Sequence, residues 1–159
     1  MCIRDSLEPD EAVAWHAPER TADWLALMAP LHRRRLEAAA AGGERMVGAV
    51  FRRTRIEDGA RVQRAEVRFD GLAGCLRTPR GGSSRQAIVV VDGARVRTRL
   101  LTPREAARLM GLADDYRLPA AATTALHVAG DGVAVPVVRW LAQHLLEPLL
   151  AGEALVAAE

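Results

Sequence analysis

The spacing of hydrophobic and polar positions changes twice along the chain. Over Thr21 to Ala41, Trp24, Leu27, Met28, Leu31 and Leu36 recur at helical spacing, with Arg33, Arg34 and Arg35 on the polar side. Pro30 falls inside that pattern and predicts a kink or two shorter helices. Gly42-Gly43 ends it. From Met46 the period becomes two. Met46–Ile56 and Arg61–Phe69 are rich in β-branched residues alternating with arginine, and Asp58-Gly59 between them signals a hairpin. A short strand is expected over Cys75–Thr78, followed by the loop Pro79-Arg80-Gly81-Gly82-Ser83-Ser84. A second hairpin is expected to pair Gln86–Val91 with Ala94–Arg99 through Asp92-Gly93.

The helical period returns at Thr102-Pro103-Arg104-Glu105. Thr102 can cap, Pro103 takes the first helical position, Glu105 completes a capping box, and Gly111 stops the helix. Residues Leu112–Thr124 read as loop. Gly130-Asp131-Gly132 leads into a final helix of roughly Val135–Leu150, on which Val137, Val138, Leu141, Leu145, Leu146 and Leu149 make a broad apolar face. Glu8–Glu19 reads as irregular or loosely helical. The polar stub Met1–Ser6 reads as a non-native leader outside the fold, and the tail from Ala151 as frayed.

The fold class that follows is α+β, a small twisted antiparallel sheet flanked by an N-terminal helical segment and C-terminal helices. The expected divisions are a leader at 1–6, a helical connector at 7–44, a basic β-rich domain at 45–100, a C-terminal helical part at 101–150 and a tail at 151–159. Trp24 and Trp140 are expected in helix cores, Trp15 partly exposed, and Tyr116 packed in the loop after the capped helix.

Composition adds limits. The 159 residues, half of them hydrophobic, can form one modest core. No apolar run approaches the ~18 residues of a membrane span, so a membrane role is not expected. The two cysteines, Cys2 and Cys75, suit a reducing cytoplasm. With no CxxC, HExxH or Cys/His cluster, no metal site is expected. All 22 basic residues are arginine. GC-rich coding accounts for that, and so does recognition of phosphate and guanine by the bidentate guanidinium fork. The net charge of +2 hides a segregation. Arg45 to Arg104 holds 14 arginines against five acids, a local +9, while the remainder carries −7. A basic centre between acidic flanks suits a polyanion site, and equally a solvated arginine-rich sheet.

Three features have chemical potential. In the loop Gly81-Gly82-Ser83-Ser84-Arg85, glycine permits close backbone approach to a phosphate and the serines and arginine supply donors. A plain flexible loop has the same composition. In the capped helix, Glu105 and Arg108 are spaced to pair on one face, commonly a structural arrangement. Gly130-Asp131-Gly132-Val133, placed before a helix, can hold polar groups of a ligand or simply start that helix.

Order and wording supply context. LTPREAARLMGLADDYRLP, from Leu101 to Pro119, resembles the ninth conserved motif of DNA cytosine-5 methyltransferases, and GDGVAVPVVRWLAQHLLEPLL, from Gly130 to Leu150, resembles their tenth. The preceding MVGAVFRRTRIEDGARVQRAEVRFDGLAGCLRTPRGGSSRQ resembles the target recognition domain of a bacterial branch of that family. The resemblance extends from about Thr21 onward.

The resemblance implies a C-terminal fragment of a larger α/β enzyme. It implies that Arg104, Glu105 and Arg108 organise the recognition domain, that Arg77, Thr78, Arg80, Gly81, Gly82, Ser83, Ser84 and Arg85 face double-stranded DNA, and that Gly130, Asp131 and Val133 line an S-adenosylmethionine pocket. Asp131 departs from the family's usual asparagine. The chemistry needs a glycine-rich cofactor loop, a Pro-Cys nucleophile whose thiolate adds to C6 of a flipped cytosine, and a Glu-Asn-Val segment whose glutamate assists at N3. None of these motifs occurs in the chain. Cys75 has no proline before it and reads as a buried core cysteine, and His16, His32, His127 and His144 form no acid/base set. The chain is therefore expected to lack catalytic residues and to be inactive without its missing N-terminal catalytic half. The alternatives are a stand-alone DNA-binding module and a non-catalytic partner subunit derived from such a domain.

Overall fold

A computed structural model of the chain describes residues 2–76 and 85–152. Two helices come first, α1 (Pro18–Ala26) and α2 (Pro30–Ala41). The apolar pattern of 21–41 is split because Pro30 takes the first position of a new helix, where its missing N–H is harmless. Four strands follow: β1 (Met46–Glu57), β2 (Ala60–Arg68), β3 (Ala87–Asp92) and β4 (Arg95–Leu100). They form one antiparallel sheet in the order β2-β1-β3-β4. Asp58 and Gly59 have φ of 50° and 79°, the paired left-handed conformations of a type I′ turn that matches strand twist. In the second hairpin Asp92 pairs with Arg95, so the turn residues are Gly93-Ala94, one place later than the sequence suggested.

The sheet is buried on both faces near β3, whose Ala87 to Val91 are all inaccessible. On one face Val50, Val67, Val89 and Val91 pack against Trp24, Met28, Leu36 and Ala39 of the two helices and the turn between them. On the other, Val47, Ala49, Ile88 and Val90 pack against Ile3, Leu101, Leu109 and Ala129. Ile3 corrects the reading of residues 2–6 as lying outside the fold. It is 1% exposed, its N–H donates to the Gly71 carbonyl at 2.7 Å, and Cys2 pairs with Leu72. One apolar residue in a polar stub was enough to close the second core.

The C-terminal third holds α3 (Pro103–Leu109), α4 (Ala122–Asp131), α5 (Val135–Leu141), a π-helical turn (Ala142–Leu146) and α6 (Glu147–Ala151). The π turn sits just before Pro148, whose ring would otherwise clash with the carbonyl one turn back. α4 was not foreseen, since no side chain caps it and the sequence there is alanine-, threonine- and glycine-rich. Three other expectations are corrected. Residues 73–76 form no strand. Cys75 is exposed, because its neighbours Ala73 and Leu76 are the residues that pack on the core. Trp140 is 53% exposed, as part of a terminal helix whose apolar face lies open among the described residues. No helix among these residues is long and apolar enough to cross a membrane.

Candidate nucleic-acid interface

The segment after the sheet is held by a buried ion pair. Arg99 on β4 and Glu105 on α3 meet with Nη1–Oε2 at 2.7 Å and Nη2–Oε1 at 2.6 Å. Their side chains are 1% and 0% exposed. Glu105 also accepts the N–H of Thr102 and the N–H of Glu8, each at 2.9 Å, while Thr102 Oγ1 accepts the Glu105 N–H, completing the capping box. Burial would raise the Glu105 pKa, but the Arg99 guanidinium and the two backbone N–H groups outweigh it and hold the carboxyl below its usual range. The expected Glu105–Arg108 pair does not form, because Glu105 turns inward to Arg99. Arg108 instead forks onto Asp114 at 2.7 and 3.0 Å and donates to the carbonyls of Ser6 and Leu7. Arg104 donates to the carbonyls of Ala113 and Tyr116. These three side chains thus tie β4, α3, the N-terminal segment and the loop 112–116 together. Sequence reasoning missed Arg99, Glu8 and Asp114 as their partners, since none lies at a helical spacing from the residue it binds.

A second arginine cluster lies along the N-terminal segment. Asp10 takes Arg45 at 2.9 Å and Arg97 at 2.6 Å, and the Arg97 guanidinium lies 4.0 Å over the Trp15 ring. These pairs lower the Asp10 pKa, the Arg97 hydrogen bond most. Arg45 and Arg97 are therefore engaged within the protein.

The hairpin β1–β2 is different. Its outer half extends past the sheet, since β1 pairs with β3 only as far as Val50↔Ala87 and with β2 out to Glu57↔Ala60. Residues 52–56 are all exposed. The alternation places Phe51, Arg53 and Arg55 on one face with Glu66, Arg64 and Arg68. Arg53 reaches Glu66 at 3.3 Å, Arg55 reaches it at 2.7 Å, and Arg64 reaches Glu57 at 2.8 Å. The Arg64 hydrogen bond holds the Glu57 carboxyl below its usual range.

Of the residues the sequence placed toward DNA, Arg77, Thr78, Arg80, Gly81, Gly82, Ser83 and Ser84 lie outside the described residues. Arg85 is half-buried, and its Nε donates to the Leu101 carbonyl at 2.7 Å. Burial lowers its pKa. A β-carbon on Gly74 would fall 1.9 Å from a ring carbon of Phe51, so the backbone passes directly over that ring.

Gly130 and Asp131 do not form a turn ahead of a helix. They are the last residues of α4, and Val133 beyond them is 68% exposed. At the end of α4 they belong to the carbonyl end of a helix, not to the N–H end the sequence suggested. The Val135 N–H donates to the Met110 carbonyl at 2.9 Å, which joins this link to the end of α3. The described residues hold no cluster of three or more metal-binding side chains.

Comparison with known proteins gives the class. The family model for C-5 cytosine-specific DNA methylases matches residues 28–147. The chain belongs to that family. It is 36% identical over 61 residues to the type II methyltransferase M1.ScrFI of Lactococcus lactis subsp. cremoris, a stretch covering 38% of this chain and 16% of that protein. It is 41% identical over 51 residues to the type II methyltransferase M.SsoII of Shigella sonnei, covering 32% of this chain and 14% of that protein. The matched stretches span less than a fifth of these relatives' length. No solved structure matches the chain.

Proposed function

We propose that this chain is the DNA-recognition and cofactor-pocket-closing part of a DNA (cytosine-5-)-methyltransferase, a C-terminal part that does not transfer methyl groups alone. The observation that carries the reading is arginine concentration in a DNA-methylase family member: a local +9 between Arg45 and Arg104 against −7 elsewhere. In this reading Arg77, Thr78, Arg80, Gly81, Gly82, Ser83 and Ser84 face double-stranded DNA. Arg85 anchors the end of that loop through Leu101. Arg104, Glu105 and Arg108 hold the recognition sheet and the loop 112–116 in fixed relation.

Gly130, Asp131 and Val133 form one wall of the cofactor pocket, and the portion that this chain does not span supplies the rest. The carbonyl end of α4 and the Asp131 carboxylate favour positive charge, which suits the sulfonium of S-adenosylmethionine. S-adenosylmethionine supplies the methyl group when bound. The open apolar face of the terminal helix favours a part completed by a catalytic portion over a stand-alone binding module.

Titration of the chain with labelled duplex DNA over a salt series, alongside a methyl-transfer assay, tests this. Duplex binding that weakens as salt rises, with no methyl transfer until an upstream catalytic portion is added, is expected. Methyl transfer by the chain alone, or no salt-dependent duplex binding, overturns the proposal.

A further inference from the structure

We propose that the outer half of the β1–β2 hairpin is a second DNA contact, a phosphate-backbone track whose arginines are held ready by Glu66 and Glu57 until phosphate displaces those carboxylates. The inference rests on the DNA-recognition reading above and adds to it residues outside the 77–85 loop.

The ribbon reaches the two cores only at its inner end, through Ala65 and Phe51, and Ile56 near its tip is 76% exposed. Its charge is strongly biased all the same. Phe51 to Arg68 holds six arginines against three acids. On one face Arg53 stands directly opposite Arg64, a like-charge cross-strand pair that works against the ribbon. Glu66 and Glu57 offset that repulsion only in part. Glu66 shares one carboxylate between Arg53 and Arg55, whose side chains remain 57% and 52% exposed while its own is 19% exposed. Each guanidinium carries five donors, so most of them stay available to a second acceptor. Exposed ion pairs of this kind add little stability, so a fold-stabilising role explains the arrangement poorly. Preorganisation explains it better. The carboxylates hold these long side chains on one face, and a polyphosphate backbone offers them more acceptors than Glu66 can. The backbone at Gly74 passes against Phe51 on this same face.

The test is binding of a labelled duplex, and of a second duplex of unrelated sequence, by the 159-residue chain over a salt series. The double variant Arg53→Ala/Arg55→Ala is expected to weaken both duplexes by roughly tenfold at low salt and to lower the slope of log affinity against log salt by about two. Arg34→Ala, an exposed change on α2, serves as the control for general charge loss. Glu66→Gln is expected to tighten binding several-fold, a gain that misfolding cannot mimic. If the parent chain binds no duplex, the recognition reading falls and the track falls with it. If the parent binds and Arg77→Ala/Arg80→Ala weakens it while the ribbon variant matches Arg34→Ala, only the track is overturned. If Glu66→Gln binds no better than the parent, displacement of the carboxylates is overturned.

Discussion

Arg99 and Glu105 form a two-point ion pair, with both contacts under 2.8 Å and neither side chain reaching solvent. The pair joins the last strand of the sheet to the first helix after it. Removing one member of a buried pair leaves the other charged and unpaired, which costs about 3–5 kcal/mol. Glu105→Gln should therefore lower stability by roughly that amount in urea unfolding. Arg99→Met combined with Glu105→Leu should cost clearly less than the two single changes added together. Additive losses would show that the two side chains act independently.

Acid should unfold the chain partly through the same pair. The folded Glu105 pKa lies below its unfolded value of about 4.3. Its contribution is thus fully present above that pH and is lost as pH falls through the lower folded value. His16, which contacts the Thr98 hydroxyl at 3.0 Å, has its pKa lowered by burial and by Arg20. It acts with the same sign in a higher window, removing stability as pH falls below about 6.5. Urea midpoints measured from pH 7 to pH 3 should fall in both windows. Glu105→Gln should reduce the fall in the lower window, to which Asp10 also contributes, and leave the upper unchanged, while His16→Gln should reduce the upper alone.

Gly111 should not tolerate a side chain. Its φ is 76°, and a β-carbon would stand 2.4 Å from Cδ of Pro136. Gly111→Ala meets both backbone strain of ~1–2 kcal/mol and that overlap. It should lower the melting temperature by several degrees and speed proteolysis of the segment 135–151. A variant with unchanged melting and cleavage would show that Pro136 does not seat on this turn.

The terminal helix should make the isolated chain associate. Val137, Val138, Trp140, Leu146, Leu149 and Leu150 are each about half or more exposed, a patch that soluble monomers rarely leave open. Sedimentation should show concentration-dependent association. Trp140→Gln with Leu146→Gln and Leu149→Gln should suppress it while shifting stability by less than about 1 kcal/mol, as surface changes do. A large loss of stability in that triple variant would mean that the helix is already packed.

The local sequence was sufficient for every element whose signal is carried by neighbours. Asp58-Gly59 set the first hairpin because a type I′ turn needs two left-handed residues, and Thr102-Pro103-Arg104-Glu105 set the start of α3 because all the capping partners lie within one turn. Pro30 divided the first helical stretch for the same kind of reason. Tertiary structure decided what depends on residues distant in sequence. It paired Glu105 with Arg99 and Glu8 instead of Arg108, since an inward carboxylate binds whichever donors the packed core presents. It drew Ile3 into the second core and left Cys75 and Trp140 exposed, because burial depends on which surfaces meet and not on a residue's own polarity. It also turned Gly130-Asp131 into the end of α4, a helix without a capping signal, whose buried Ala125 and Ala129 show that packing supplies what local sequence does not.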